Sequence, residues 1–445
     1  MRLSLPAMLS QMTLILMQYI DASMVGRIGA SASAAIGLVA STTWLFGSVA
    51  TAATVGFTVQ VAQQIGAGKD ERARAILRLA LGAIAVFSVI LLLLGVLVAG
   101  RLPQWLGGEA SILTDSHRYF LIYVLFLPVV SMNSLGAGML RSSGNMRIPS
   151  ILSVLMCVFD VIFNFFLIFP SRELLLFGDN IWVPGAGLGV AGAALGTGLA
   201  ELVCACLMQY FLLVRSAKLH LRKDSATYDI AGYLKRGVRL SLPVCFENLI
   251  MCGAMVVTTR IVAPLGIVAI AANSFAVTAE SLCYMPGYGL GDAAAVLTGQ
   301  CVGAGNWPMT RSFGRLCAKL GMLVMAIMGI FMFLAAPFLI GILTTEAAVR
   351  EAAVSVLRIE AFAEPLYGAS IVISGALRGV GDTLIPSLMN FVSMWAVRLP
   401  LAYFLSLRFG LHGVWMAMCA ELCFRGSIFM VRLYRERWLK QPVLK

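Results

Sequence analysis

Four polar side chains, two of them carboxylates, lie inside long apolar stretches of the sequence. Asp21 lies in the first stretch, Asp160 and Asn164 lie in the fifth, and Thr197 lies in the sixth. An ionisable group in hydrocarbon is costly, so it usually faces a cavity or a partner. Carboxylate, amide and hydroxyl oxygens suit a hard cation such as Na⁺, and buried acids also exchange protons. We therefore predict a Na⁺ or proton coupling site, with Asp21 and Asp160 as candidate Na⁺ ligands; the alternative is a structural hydrogen-bonded cluster.

The spacing of these residues predicts that they meet at one depth in the membrane. Asp21 follows Pro6 by 15 residues, and Asp160 and Asn164 follow Pro149 by 11 and 15 residues. At the rise of an α-helix these separations are about 22, 16 and 22 Å. Both stretches are predicted to run outward from the cytoplasm. The three side chains are therefore expected in the outer half of the first lobe, which comprises residues 1–214. Asp160 and Asn164 are four residues apart and share a helix face.

Further acids lie in the apolar stretches of the second half. Glu247 and Glu280 are candidates for a shared substrate cavity, and a structural role is the alternative for both. Glu421 and Arg425 have the spacing of an ion pair along one helix, which indicates a structural pair.

The type of secondary structure that positions these residues can be predicted from the composition of the chain. The chain has 445 residues, of which 60% are hydrophobic and 12% charged, and its mean hydropathy is +0.90. Soluble domains have about one quarter charged residues, whereas runs of about 18 or more apolar residues indicate transmembrane helices. Lipid offers no partner for open backbone groups, so an all-α integral membrane protein is predicted. Its twelve spans are expected at residues 4–26, 33–63, 75–99, 116–140, 148–170, 187–214, 236–262, 268–300, 312–341, 350–377, 383–407 and 411–433.

The basic residues are concentrated in the connections that follow even-numbered spans. The basic residues in or beside those connections are Lys69, Arg72, Arg74, Arg78, Arg141, Arg147, Arg215, Lys218, Arg222, Lys223, Lys235, Arg236, Arg239, Arg311, Arg315, Lys319, Arg432, Arg435, Arg437 and Lys440. The positive-inside rule then places both termini and these connections of a multi-pass membrane protein in the cytoplasm. The net charge of +12 is explained by this topology, and nucleic-acid binding is not expected.

An internal repeat divides the chain into two lobes. The sequence Leu-Ser-Leu-Pro at 3–6 returns at 240–243, 237 residues later, and two further anchors, beginning at Gln63 and Leu140, recur with the same shift. Parallel repeats of this kind occur in secondary transporters. We predict two pseudo-symmetric six-helix lobes, residues 1–214 and 236–445, with a cytoplasmic connection at 215–235 and a basic cytoplasmic tail. Residues 171–186 have no counterpart of equal length and are expected to form an extra outer loop.

Signals for catalysis and cofactors are missing from the sequence. It contains no phosphate-binding loop, no nucleophile elbow and no zinc signature. The 10 cysteines are scattered singly within the spans, without metal-ligand spacing. The chain is therefore expected not to be an enzyme and to need no cofactor.

These residues, taken in order, resemble the multidrug and toxic compound extrusion (MATE) transporters of the bacterial DinF-type branch. The likeness covers nearly the full length. Its motifs are Pro6…Asp21…Gly26…Gly29, Gln63 followed by Gly-Ala-Gly, LRSSGNMRIPS at 140–150, GVAGAALGT at 189–197, MPGYGLGDAAAVLTGQCVGAG at 285–305, LRGVGDTLIPS at 377–387 and the pair Glu421…Arg425.

The resemblance implies a central cavity and export of amphipathic organic cations against an inward flow of Na⁺ or H⁺. In the family's fifth span an Asn usually precedes the Asp by four residues, whereas here Asp160 precedes Asn164. The exchange moves the carboxylate inward by about 6 Å. Glu247 follows Pro243 by four residues, and some branches carry this acid one turn further on.

Two functions remain open at this point. The first is a cation-coupled multidrug antiporter, expected to act as a monomer on small organic cations. The second is a flippase for lipid-linked precursors, since related folds move such lipids. A pyrophosphate lipid would require Arg or Lys in the cavity, whereas the first lobe carries acids at mid-membrane depth. This charge favours cationic cargo.

Overall fold

The computed structural model describes residues 4–176, 179–221, 229–344 and 346–440. Arg222 and Lys223 of the expected cytoplasmic connection lie outside these ranges, as do residues 441–445 of the expected basic tail.

The described part of the first half is built from eight helices, most of them long and apolar. They are α1 Ser4–Gly26, α2 Ala30–Gly66, α3 Asp70–Ala99, α4 Leu102–Trp105, α5 Leu113–Leu125, α6 Leu127–Ser142, α7 Arg147–Leu167 and α8 Gly189–Tyr210. A π-helical turn, Phe211–Arg215, continues α8.

Seven helices make up the described part of the second half. They are α9 Ile230–Val262, α10 Ile267–Gly303, α11 Trp307–Leu343, α12 Ala347–Glu360, α13 Glu364–Val380, α14 Leu384–Val392 and α15 Leu399–Arg435. This part also contains two 3₁₀ turns, Ala263–Leu265 and Arg437–Lys440, and one π-helical turn, Ser393–Arg398.

These helices coincide with the twelve expected spans, of which two are interrupted. Helices α5 and α6 form one span bent by 44° at Phe126. Helices α12 and α13 form the other, broken at residues 361–363. The break within α15 at Gly410, where φ is 58°, separates the eleventh and twelfth spans. By length and hydropathy, nine described helices can cross a membrane, or ten with the bent pair. Helix α1 and the pair α12–α13 carry more polar residues and complete the set.

The segment that was expected to form an extra outer loop is a β-hairpin. Strand β1, Pro170–Leu176, pairs antiparallel with β2, Asp179–Ala186. At the hairpin's base, Ser171 and Gly185 exchange hydrogen bonds of 3.2 and 3.1 Å. A Cβ on Gly185 would lie 2.2 Å from the carbonyl oxygen of Phe169, so glycine is required where the hairpin closes on the end of α7.

The chain forms two compact units. The N-unit comprises Thr13–Thr58 and Asp70–Arg236, and the C-unit comprises Met1–Met12, Val59–Lys69 and Gly237–Lys445. The repeat assigns residues 1–12 and 59–69 to the first lobe, yet both segments group with the C-unit.

Repeat-related residues contact one another inside the C-unit. A Cβ on Gly66 would lie 2.0 Å from the carbonyl oxygen of Gln300, and a Cβ on Gly303 would lie 1.8 Å from that of Gln63. The side chain of Gln63 also donates to the carbonyl of Gly379 at 3.0 Å. The ends of α2 and α10 therefore cross reciprocally, and the Gln…Gly spacing in both repeats is explained by backbone contact that only glycine permits.

Candidate functional site

Asn164 bridges the two candidate carboxylates of the N-unit. Its Nδ2 atom donates to Oδ1 of Asp21 at 2.8 Å and to Oδ2 of Asp160 at 3.1 Å. Since Asp21 lies on α1 and the other two side chains lie on α7, one amide joins two helices through two acceptors. Hydrogen bonds to ionised groups are about twice as strong as neutral ones.

Thr197 of α8 completes the group that the sequence predicts. Its hydroxyl interacts with the carboxyl of Asp160, and Asp21 interacts with Asp160 as well. Asp160 and Asn164 are fully buried at 0% exposure, while Asp21 and Thr197 are partly buried. The structure thus brings all four side chains together from three helices; that they hold an ion stays a prediction.

Two oxygens of this group have no donor. Within the described residues, Oδ1 of Asp160 and Oδ1 of Asn164 are buried and lack a hydrogen-bond partner. Leaving a buried acceptor unsatisfied costs about 1–3 kcal/mol, and more for a charged group. A cation would satisfy both atoms, and a proton would satisfy Asp160; that either binds here stays a prediction.

The close approach of α7 and α8 depends on glycine. A Cβ on Gly196 would lie 2.1 Å from Oδ1 of Asn164, and a Cβ on Gly192 would lie 2.5 Å from the carbonyl oxygen of Leu167. The glycines of the GVAGAALGT stretch thus allow Asn164 to sit directly against α8. This contact fixes the amide that joins the two acids.

A third acid lies beside this group and was not identified from the sequence. Glu201 of α8 accepts a 2.8 Å hydrogen bond at Oε1 from Nδ2 of Asn133 on α6. It is four residues after Thr197, so the two side chains share one face of α8. That spacing was the signal by which sequence reasoning would have found it.

Glu247 has a complete set of partners in the C-unit. Its carboxylate accepts from Arg378 at 3.1 Å, from Ser387 at 2.7 Å and from Asn390 at 2.6 Å. Glu247 is buried, and Arg378 supplies the compensating charge. Removal of one partner from a buried pair leaves an uncompensated charge, which is strongly destabilising.

Glu280 lies in a different set of charged residues. It interacts electrostatically with Arg398 and Arg425, and none of the hydrogen-bond donors to Glu247 is among its partners in the described chain. The shared cavity expected for the two acids stays a prediction. The pair Glu421–Arg425 is confirmed, with a separation of 3.0 Å.

Two further buried acids of the C-unit were also missed as site candidates. Glu360 and Glu364 are 0% and 1% exposed, and neither has a hydrogen-bond partner for its carboxylate oxygens among the described residues. Glu360 interacts electrostatically with Glu280, so at least three acids approach one another here.

Comparison with known proteins supports the repeat and the fold. The family model MatE matches the chain twice, at residues 6–166 and 243–404, so the two matches begin 237 residues apart. The chain is 27% identical over 445 residues to the probable multidrug resistance protein NorM of Thermotoga maritima, covering 100% of this chain and 93% of that relative. It is 24% identical over 436 residues to the uncharacterised transporter YisQ of Bacillus subtilis, covering 96% and 90%.

Solved structures of similar fold come from the same group of transporters. An outward-facing multidrug resistance MATE family transporter aligns with a TM-score of 0.89 at 21% identity, covering 99% of this chain and 96% of that one. A MOP superfamily transporter from Pyrococcus furiosus aligns with a TM-score of 0.89 at 20% identity and the same coverage. These likenesses concern the fold, and they confirm the predicted all-α architecture of twelve membrane helices in two six-helix halves. Because the MatE model matches most of the sequence in two repeated parts, the chain belongs to the MatE family of multi-pass membrane transporters.

Proposed function

We propose that the protein is a secondary active antiporter of the bacterial cytoplasmic membrane. It exports amphipathic organic cations in exchange for an inward flow of Na⁺ or H⁺. The observation that carries this proposal is the bridge from Asn164 to Asp21 and Asp160, with two buried oxygens that lack donors beside it. Buried acceptors call for a partner, and a bound cation or proton would supply one here.

Antiport requires that the ion and the drug bind different states of the transporter with different affinity. In the ion-loaded state, Na⁺ would take oxygens of Asp21, Asp160, Asn164 and Thr197, or a proton would occupy one of the carboxyls. In the ion-free state the negative charge of the acids becomes available to a cationic drug. The same two carboxylates thereby serve ion and cargo in turn.

The charge of the C-unit is consistent with cationic cargo. Glu280, Glu360 and Glu364 are buried acids, and Arg398 and Arg425 are the cations that interact with Glu280. Aromatic faces also attract cations, and Tyr284 and Tyr367 form an edge-to-face pair with ring centroids 5.7 Å apart.

The proposed orientation has both termini in the cytoplasm, and the proposed assembly is a monomer. The basic residues after even-numbered spans support the orientation. Cysteines introduced at Asp179 and at Lys223 test it: a membrane-impermeant thiol reagent should label position 179 in intact cells and spare position 223. The reverse pattern would contradict the topology.

Purified protein in proteoliposomes tests the antiport directly. We expect ethidium movement to be driven by an imposed Na⁺ gradient or by an imposed H⁺ gradient, and to cease when ionophores collapse that gradient. Asp21→Asn should abolish the driven movement. Glu173→Gln, which neutralises an exposed carboxyl on β1, is the matched control and should leave it unchanged. Wild-type protein that moves ethidium under neither gradient would refute the proposed function.

A further inference from the structure

Glu201 is a membrane-embedded acid that the coupling site described above does not use. Its one hydrogen bond in the described chain comes from Asn133, at 2.8 Å to Oε1. Among the described residues, no Lys, Arg or His nitrogen forms a salt bridge with it. An ionised carboxylate without a cationic partner is costly in such surroundings.

The internal repeat identifies the residues of the second half that correspond to Thr197 and Glu201. After the hairpin insertion the shift between repeats becomes 224 residues, since Gly189-Val190 aligns with Gly413-Val414. Thr197 and Glu201 then correspond to Glu421 and Arg425, which form a buried ion pair on one helix. The second half therefore neutralises its acid within the helix, whereas the first half leaves its acid without a counter-ion among the described residues.

Two tyrosines of α5 interact electrostatically with the coupling carboxylates and with Glu201. Tyr119 of α5 interacts electrostatically with Asp21 and Asp160. Tyr123, four residues later on the same face of α5, interacts with Tyr119 and Glu201. Tyr119 is thus the tyrosine near the coupling acids, and Tyr123 is the one near Glu201.

Packing fixes this arrangement on both sides. A Cβ on Gly47 of α2 would lie 2.4 Å from the hydroxyl oxygen of Tyr123, so the side chain reaches fully across to α2. A Cβ on Gly198 of α8 would lie 2.4 Å from the ring of Phe126. The bend between α5 and α6 therefore closes directly on α8, and it brings Asn133 to Glu201.

The groups that act on Glu201 come from four helices. They are Asn133 on α6, Tyr123 on α5, Asp160 on α7 and Cys204 on α8 itself. One turn of α8 separates Glu201 from Thr197, about 6 Å in the direction of Arg215. In the proposed topology that end of α8 faces the cytoplasm.

We propose that Glu201 is a proton-relay residue, which takes protons from Asp21 and Asp160 through Tyr119 and Tyr123 and releases them toward the Arg215 end of α8. Each transfer breaks one O–H bond and forms another, and gaps longer than a hydrogen bond are bridged by water. The inference rests on the proposed antiport function and further requires that H⁺ is the coupling ion.

Glu201→Gln tests the relay because it removes the titratable group and keeps an acceptor for Asn133. We expect ethidium binding to change less than twofold, and exchange of labelled for unlabelled ethidium, which moves no net proton, to continue. Uptake driven by a pH gradient should fall at least tenfold, and Glu201→Asp should recover part of it. Glu173→Gln serves again as the matched control.

Tyr123→Phe provides a second test that does not depend on how well Glu201→Gln folds. It removes one hydroxyl from the proposed relay and leaves the contact between Glu201 and Asn133 intact, and it should slow gradient-driven uptake while ethidium exchange persists. Wild-type uptake in both variants, or equal loss of binding, exchange and uptake in folded protein, would overturn the relay. Wild-type coupling to Na⁺ alone would also overturn it and leave the antiport itself standing.

Discussion

Gly196→Ala perturbs the coupling site without altering any charged residue. The new Cβ would lie 2.1 Å from Oδ1 of Asn164 and 3.1 Å from its backbone nitrogen. Because α7 and α8 are in close contact, the amide of Asn164 must turn away. It then loses its hydrogen bonds of 2.8 and 3.1 Å to Asp21 and Asp160.

The expected loss follows from these two bonds. A hydrogen bond to a charged group contributes about 1.5–3 kcal/mol, so two contribute about 3–6 kcal/mol. If a loss of about 3 kcal/mol appears in the free energy of ion binding, the affinity for the ion falls about 100-fold, since 1.4 kcal/mol corresponds to a factor of ten. Alanine stabilises a helix by about 1 kcal/mol relative to glycine. This gain offsets part of the loss in folding free energy, so the protein should still fold.

The assay is the ion concentration that gives half-maximal ethidium transport in proteoliposomes. We expect it to rise about 100-fold in Gly196→Ala. The control is Gly82→Ala on α3, where an added Cβ meets open space, and it should leave transport unchanged. A wild-type half-maximal concentration in Gly196→Ala would refute the role assigned to the Asn164 bridge.

Three further predictions follow from the contacts. Restoring the family's usual order with Asn164→Asp in Asp160→Asn protein should recover part of the gradient-driven transport that Asp160→Asn alone abolishes; no recovery would contradict the shared-site interpretation. Arg378→Ala should lower the unfolding free energy by about 3 kcal/mol, because Glu247 is left buried without its cation; an unchanged thermal midpoint would contradict this. Gly66→Ala should also lower the thermal midpoint, since overpacking against backbone costs about 1–3 kcal/mol, and an unchanged midpoint would exclude the crossing described above.

Hydropathy and depth were enough to predict the spans and the proximity of Asp21, Asp160 and Asn164. A continuous apolar run has few structural outcomes in a membrane, so the twelve spans followed directly. Counting residues from Pro6 and Pro149 placed Asp21, Asp160 and Asn164 near one depth, and the structure brings them into contact. The counting worked because straight helices convert sequence separation into distance.

Contacts that depend on helix bends and on neighbouring helices could not be predicted from the sequence. Pro128 signals a helix break near Phe126, but it encodes neither the 44° angle of the bend nor the contact between Asn133 and Glu201. The donors to Glu247 come from Arg378, Ser387 and Asn390, more than 130 residues away. Partner choice at such separations is set by tertiary packing, which a single sequence does not display.

The central claim, that Asp21 and Asp160 form one coupling site, is tested most directly by ethidium transport in single and double variants under an imposed ion gradient. Asp21→Asn and Asp160→Asn change charge at nearly constant volume, so both proteins should fold. Each should lose gradient-driven transport, and the double variant should be little worse than either single one, because both changes act on the same event. Transport at the wild-type rate by both folded single variants would contradict the claim.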